Sequence, residues 1–180
     1  MINFIRRILL EEKYLSFAKR YNKQITQDYE KWFFTTDKDL GDFVTIKPIL
    51  PATHSYIVIG DRKQCITEWN DRRICVCPSA IQTLLALNHN EFRGKYNIYV
   101  TEKEEYAYKS FGNEDATEEH YLLKDTNFRR VKIIDIKRSL EIYKYRKEIY
   151  NEYVEKRLSN KESYKLQWKF IKNYWEECLA

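Results

Sequence analysis

Glu118-Glu119-His120 is the run of this sequence that most resembles catalytic equipment, because two carboxylates and an imidazole precede a β-prone stretch and can project into a cleft as acid or base. The plainer reading is an acidic strand edge that favours solubility. A second group is Cys75-x-Cys77, which together with Cys65 and either His54 or His89 has the ligand types for four-coordinate zinc. The thiols of Cys75 and Cys77 are expected to part across their strand, so they are taken as buried apolar thiols and no metal is assigned. His54 beside Pro51 and His89 after a predicted helix titrate near neutral pH, but no carboxylate or nucleophile partners either at a recognisable spacing. Surface or helix-end roles are expected for both.

A third group lies near the C-terminus. Lys165, Lys169 and Lys172 alternate with Tyr164, Trp168, Tyr174 and Trp175. Lysines that neutralise phosphate and rings that stack on bases are one recipe for binding single-stranded nucleic acid. Trp168, Ile171 and Trp175 also recur at helical spacing, and such a stripe packs into a core while the lysines face water. Glycine-rich phosphate loops, His-Glu-x-x-His zinc helices and Gly-x-Ser-x-Gly nucleophile turns do not occur.

These groups need elements to position them. From Ile2 to about Tyr21 no Gly or Pro interrupts a helix-compatible spacing of Ile5, Ile8, Leu9 and Leu15. Trp32 to Thr36 reads as a buried strand closed by Asp37-Lys38-Asp39 and Gly41. Ser55 to Ile59 fits a strand or ordered loop. Arg73 to Cys77 reads as a strand stopped by Pro78, with Ser79 placed to cap a helix that carries Ile81, Leu84, Leu85 and Leu87. Strands follow at Tyr96 to Thr101, Glu119 to Leu123 and Val131 to Ile136. From Leu140 the period turns helical, with Leu140, Tyr143, Tyr150, Val154 and Leu158 on one face. Ser159-Asn160 breaks the pattern before a second helix, so an αα-hairpin is predicted.

The fold class expected is therefore α+β: a small strand-rich core with one packed helix, an N-terminal helix and a C-terminal αα-hairpin. Residues 1–137 form the core with its N-terminal helix, and residues 138–180 a helical arm packed on it. The chain of 180 residues is 43% hydrophobic and 16% aromatic with four glycines and three prolines, a composition that folds around a core without disulfides. No apolar run is long enough to span a bilayer, and Arg6 and Arg7 interrupt the first one. Four cysteines are too few for a disulfide framework, so reduced thiols in a cytoplasm are expected. The net charge of +5 is concentrated towards the two ends, while residues 31–135 are nearly neutral.

Three segments read together resemble small proteins encoded by phages and prophages of Gram-positive bacteria. They are Trp32 to Leu40 with Ile49-Leu50-Pro51, then Arg73 to Ile81 leading to Gly94-Lys95 and Tyr99-Val100, then Thr117 to Leu123 with Val131 to Ile136. The resemblance spans about residues 31–137. That arrangement is similar in turn to the ADP-ribosyltransferase fold, which implies a cleft formed by Phe33, Thr35, Arg73 and Ser79 with Glu119 as the late catalytic glutamate. Phe33 occupies the position where the resemblance calls for a ribose-binding histidine, and a phenyl ring cannot hydrogen-bond ribose. Arg73 lacks the paired-glutamate turn of the arginine-based version. The function implied is a cytoplasmic accessory protein of a mobile element that binds and inhibits a host or immune-system protein without a cofactor; the composition of the arm, outside the resemblance, supplies Lys165, Trp168, Lys169 and Lys172 as the expected partner contacts. The alternatives are an active ADP-ribosyltransferase using NAD, and a nucleic-acid-binding protein using the basic aromatic arm. No membrane partner is expected.

Overall fold

Six consecutive residues, Tyr96–Thr101, are buried on both sides of one strand, which places that strand between two packed layers. The structure, a computed structural model, describes residues 27–49, 56–59, 62–65, 72–87, 91–109 and 116–174. The strands are β1 (Gln27–Glu30), β2 (Phe33–Thr36), β3 (Phe43–Ile46), β4 (Tyr56–Ile59), β5 (Arg62–Cys65), β6 (Ile74–Val76), β7 (Tyr96–Thr101), β8 (Glu105–Lys109), β9 (His120–Leu122) and β10 (Thr126–Ile134). The helices are α1 (Ala80–Ala86), α2 (Ile136–Glu155) and α3 (Asn160–Tyr174). The chain is thus α+β, with its strand-rich part followed by a helical pair. The predicted helix near the N-terminus lies outside the described residues, as do His54, His89, Trp175 and Cys178.

One antiparallel sheet has the order β2-β7-β10-β3 and a second the order β1-β8-β9-β6, while β4 and β5 pair with each other. Alternation along β7 sends Tyr96 and Ile98 to one side and Tyr99 to the other. On the first side they join Ile81 and Leu84 of α1, Ile142 of α2 and Phe170 and Ile171 of α3. On the second side Tyr99 and Phe128 meet Ile74 and Val76 of β6, Ala107 of β8 and Leu122 of β9, around the fully buried Trp32. The order of layers is helices, four-stranded sheet, four-stranded sheet.

The two sheets are stitched at β6. Phe33 and Cys77 exchange backbone hydrogen bonds of 2.9 and 3.0 Å, and Ile49 and Arg73 exchange a second pair of 3.2 and 2.8 Å. Trp32 anchors the same corner: its backbone N–H donates to the Thr101 hydroxyl and its indole N–H to the Glu105 carbonyl. At the far end Arg130 holds the β2–β3 connection, donating to Asp39 at 2.7 Å and to Asp42 at 2.5 Å. Gly41 in that connection has φ +83°, a backbone state that an L side chain resists.

The helical pair is antiparallel. Arg138 near the start of α2 lies 5.1 Å from the ring of Tyr174 at the end of α3, and Tyr145 stacks on Phe170 at 5.7 Å. Asp135 caps α2 by accepting from the Arg138 N–H, and Ser159 with Glu162 forms a reciprocal cap at α3. The buried face of α2 carries Ser139, Ile142 and Arg146. The stripe expected from the sequence is covered only in part: Tyr150 is 40% and Val154 50% exposed, while Leu140, Tyr143 and Leu158 are half-buried. Apolar residues occur around most of α2, so their spacing alone did not select the face that the sheet covers.

Candidate functional site

β6 and β9 run antiparallel with Cys75 opposite Tyr121 and Val76 opposite His120. The period of two puts Ile74, Val76, His120 and Leu122 on the inner face and Arg73, Cys75, Glu119 and Tyr121 on the outer one. It also places Cys75 and Cys77 on the same side of the strand, not on opposite sides as expected, because residues two apart in an extended chain point alike. Among the described residues no group of three His, Cys, Asp or Glu side chains is arranged to hold a metal ion.

The outer face of this ladder is a compact polar cluster. The guanidinium carbon of Arg73 lies 4.1 Å from the centre of the Tyr121 ring, and both residues are buried. Cys75 lies between the Arg73 guanidinium and the Glu119 carboxylate. Burial first, and the neighbouring carboxylate second, push the Cys75 thiol far above its ordinary pKa, with Arg73 opposing them. Cys75 is a protonated donor here and not a nucleophilic thiolate. Glu119 remains half-buried at the mouth of the cluster, directly after Glu118, whose φ of +47° turns the chain into β9.

His120 faces inward. It is buried with its ring 4.4 Å from that of Trp32, and its Nδ1 is 2.7 Å from the Glu118 carbonyl oxygen. The Glu118-Glu119-His120 run is therefore split: Glu119 faces the polar cluster and His120 the core.

The remaining cleft residues seat α1. Phe33 packs against the helix-side core. Thr35 is buried and shares a short hydrogen bond with the Thr83 hydroxyl. Thr83 itself donates to the Ala80 carbonyl at 2.8 Å, which leaves Thr35 as the donor to Thr83. Ser79 caps α1, donating to Gln82 Oε1 at 2.6 Å and accepting from the Gln82 N–H, while Gln82 Nε2 reaches the Ala116 carbonyl at 3.0 Å. The polar atoms of Thr35 and Ser79 thus serve the packing of α1 on β2. Of the five residues expected around the cleft, the fold brings Arg73 and Glu119 together around Cys75 and directs Phe33, Thr35 and Ser79 to the opposite side of the sheets. Tyr121 was not singled out from the sequence, and Cys75 only as a zinc-type or buried apolar thiol, although their two-residue offsets from Glu119 and Arg73 are the signal that places them on the same face.

The arm residues separate as a helical wheel dictates. At about 100° per residue, Lys161, Lys165, Lys169 and Lys172 fall within an arc of about 80° on α3, and all four are exposed. Ser163, Phe170 and Ile171 lie against the core. Trp168 stands at the boundary: it is half-buried against the helix-side core, and its ring makes an edge contact of 6.1 Å with the exposed Tyr164. Gln167 holds this helix to the sheet region by accepting the Ala116 N–H at 2.8 Å.

Comparison with family models, with curated proteins and with solved structures finds no match. No helix among the described residues is long and apolar enough to cross a membrane.

Proposed function

We propose that this chain is a binding module, an accessory protein of a mobile element that occupies and inhibits a host or immune-system protein in the cytoplasm through its C-terminal hairpin. The observation that carries the reading is the exposed row Lys161, Lys165, Lys169 and Lys172 beside the Tyr164–Trp168 pair, on a helix whose opposite side is fixed in the core. A rigid helix that presents cations next to half-exposed rings loses little conformational freedom on binding and suits an acidic partner surface. The structural use of Thr35 and Ser79 supports the same reading, since neither hydroxyl is left to grip a nucleotide.

The test is affinity capture from host lysate with the full chain and with a Lys165→Glu/Lys169→Glu/Lys172→Glu variant, with melting temperatures measured alongside. The expected result is a specific protein held by the native chain and lost from the variant at an unchanged melting temperature. Capture that the charge reversal does not alter would overturn the reading. Capture abolished by nuclease, with steep salt dependence, would replace it with nucleic-acid binding.

A second reading rests on Glu119, which stays half-buried beside Arg73, Cys75 and Tyr121. A carboxylate so placed could position a reacting ribose in an ADP-ribosyltransferase. Labelled NAD incubated with host extract would then give labelled macromolecules, and Glu119→Gln would abolish the label.

A further inference from the structure

Arg146 lies in the middle of α2, is only 3% exposed, and has no hydrogen-bond partner at Nε, Nη1 or Nη2. Three other arginines are matched with carboxylates, Arg130 with Asp39 and Asp42, Arg93 with Glu91, and Arg138 with Glu141, while Arg73 lies over the Tyr121 ring. The groups acting electrostatically on Arg146 are instead the phenols of Tyr96 and Tyr143. The Tyr96 hydroxyl is close enough to favour the cation, yet it does not complete a well-formed hydrogen bond with any guanidinium nitrogen. Burial lowers the Arg146 pKa to about 10, so the group is still a cation at neutral pH.

A buried cation with no carboxylate and no well-formed hydrogen bond is among the most costly arrangements a core can hold, and a hydrocarbon of the same volume would be preferred there. The surroundings are also shaped. Phe92 lies 5.7 Å from the Tyr143 ring and 6.4 Å, edge-on, from the Tyr96 ring. Tyr96 comes from the sheet, Tyr143 from α2 one turn before Arg146, and Phe92 from the segment leading into β7. Asp37, the carboxylate that also acts on Tyr96, is paired with Arg93 at 3.9 Å. The planar guanidinium fork matches two oxygens of one oxyanion, and phenolic hydroxyls can donate to the others.

We propose that Arg146 is the floor of an oxyanion-binding site walled by Phe92, Tyr96 and Tyr143, which takes a phosphate or carboxylate group of a small ligand. Phe92 is half-buried and belongs to neither the sheet nor the helices, so displacement of its ring is the way in. The site is on the helix side of the β2-β7-β10-β3 sheet, separate from the Arg73–Glu119 cluster and from the lysine row, and it does not depend on the function proposed above.

The experiment is thermal unfolding of the full chain in inorganic phosphate and, separately, in acetate, each against sodium chloride of equal ionic strength. A ligand that binds only the folded state raises the melting temperature progressively with its concentration. The expected result is such a rise in the native chain, its loss in Arg146→Met, and a response in Arg146→Lys that needs about tenfold more anion, since an ammonium lacks the fork. Phe92→Ala should strengthen the response. If Arg146→Met does not fold, Arg146→Lys and Tyr143→Phe carry the comparison, each with a weakened response. A rise with phosphate alone assigns a phosphoryl group, a rise with acetate alone a carboxylate, and a rise with both the oxyanion in general. No rise in the native chain with either anion, or equal rises in the native chain and the Arg146 variants, would overturn the proposal.

Discussion

Arg73 and Tyr121 face each other across the β6–β9 ladder, the guanidinium carbon 4.1 Å from the ring centre, and the pair closes one side of the pocket of charge that surrounds Cys75. Cation–π contact satisfies the face of the ring and holds the arginine over the sheet, where it opposes the Glu119 carboxylate. The thiol between them registers both charges.

Cys75 should therefore resist alkylation. Its thiol is held protonated by burial and by Glu119, so iodoacetamide labelling of the Cys75 peptide is expected to stay slow up to pH 9 or so, about where an ordinary thiol ionises. Glu119→Gln removes the neighbouring negative charge, lowers the thiol pKa and speeds labelling at a given pH. Arg73→Ala should act in the opposite direction. Peptide mapping by mass spectrometry reads both, and equal rates in all three proteins would show that the cluster does not form.

Ser79 acts as a helix cap, so Ser79→Ala should cost about 0.5–2 kcal/mol of stability. Because its hydroxyl bonds to Gln82 within the same turn, partner capture should be unaffected. A loss of capture larger than the loss of folded protein would return Ser79 to a binding surface.

Phe170 and Trp168 give graded losses. Phe170 is fully buried and stacks with Tyr145, so Phe170→Ala should cost about 3–5 kcal/mol. Trp168 is half-buried at the edge of the same core, and Trp168→Ala should cost less, about 1–3 kcal/mol. Denaturant titration of both variants checks the order. A melting curve unchanged by Trp168→Ala would make this ring an interface anchor only.

Acid should weaken the fold through two exposed carboxylates. The Gly41 N–H, and after it Arg130, hold Asp39 below its usual range, and the Ser159 hydroxyl and N–H do the same for Glu162. A carboxyl with a lower pKa folded than unfolded stabilises the protein above the unfolded value and loses that contribution as pH falls through the folded one. Asp39→Asn with Glu162→Gln should therefore flatten the acid limb of a stability–pH curve, and an identical limb in the double variant would refute the assignment.

The sequence by itself determined the elements whose cause is local. Pro78 ends a strand, Ser79 caps the next helix and Ser159 starts the last one, because a missing N–H or a capping hydroxyl acts within a few residues. Tyr96–Thr101 was legible from its alternation, as was the α+β class with two helices at the end. The short charged strands β1 and β8 were not, since Gln27–Glu30 and Glu105–Lys109 lack a clear hydrophobic pattern and become strands by pairing with each other. Only the tertiary structure decided which side of α2 is buried, for the covered face includes Ser139 and Arg146 while Tyr150 and Val154 face water. It also decided that Arg73 and Glu119 both reach Cys75 and that Phe33, Thr35 and Ser79 turn away from them. Ladder register and layer contact join residues distant in the chain, and their free energy depends on the partner surface, which no window of sequence contains.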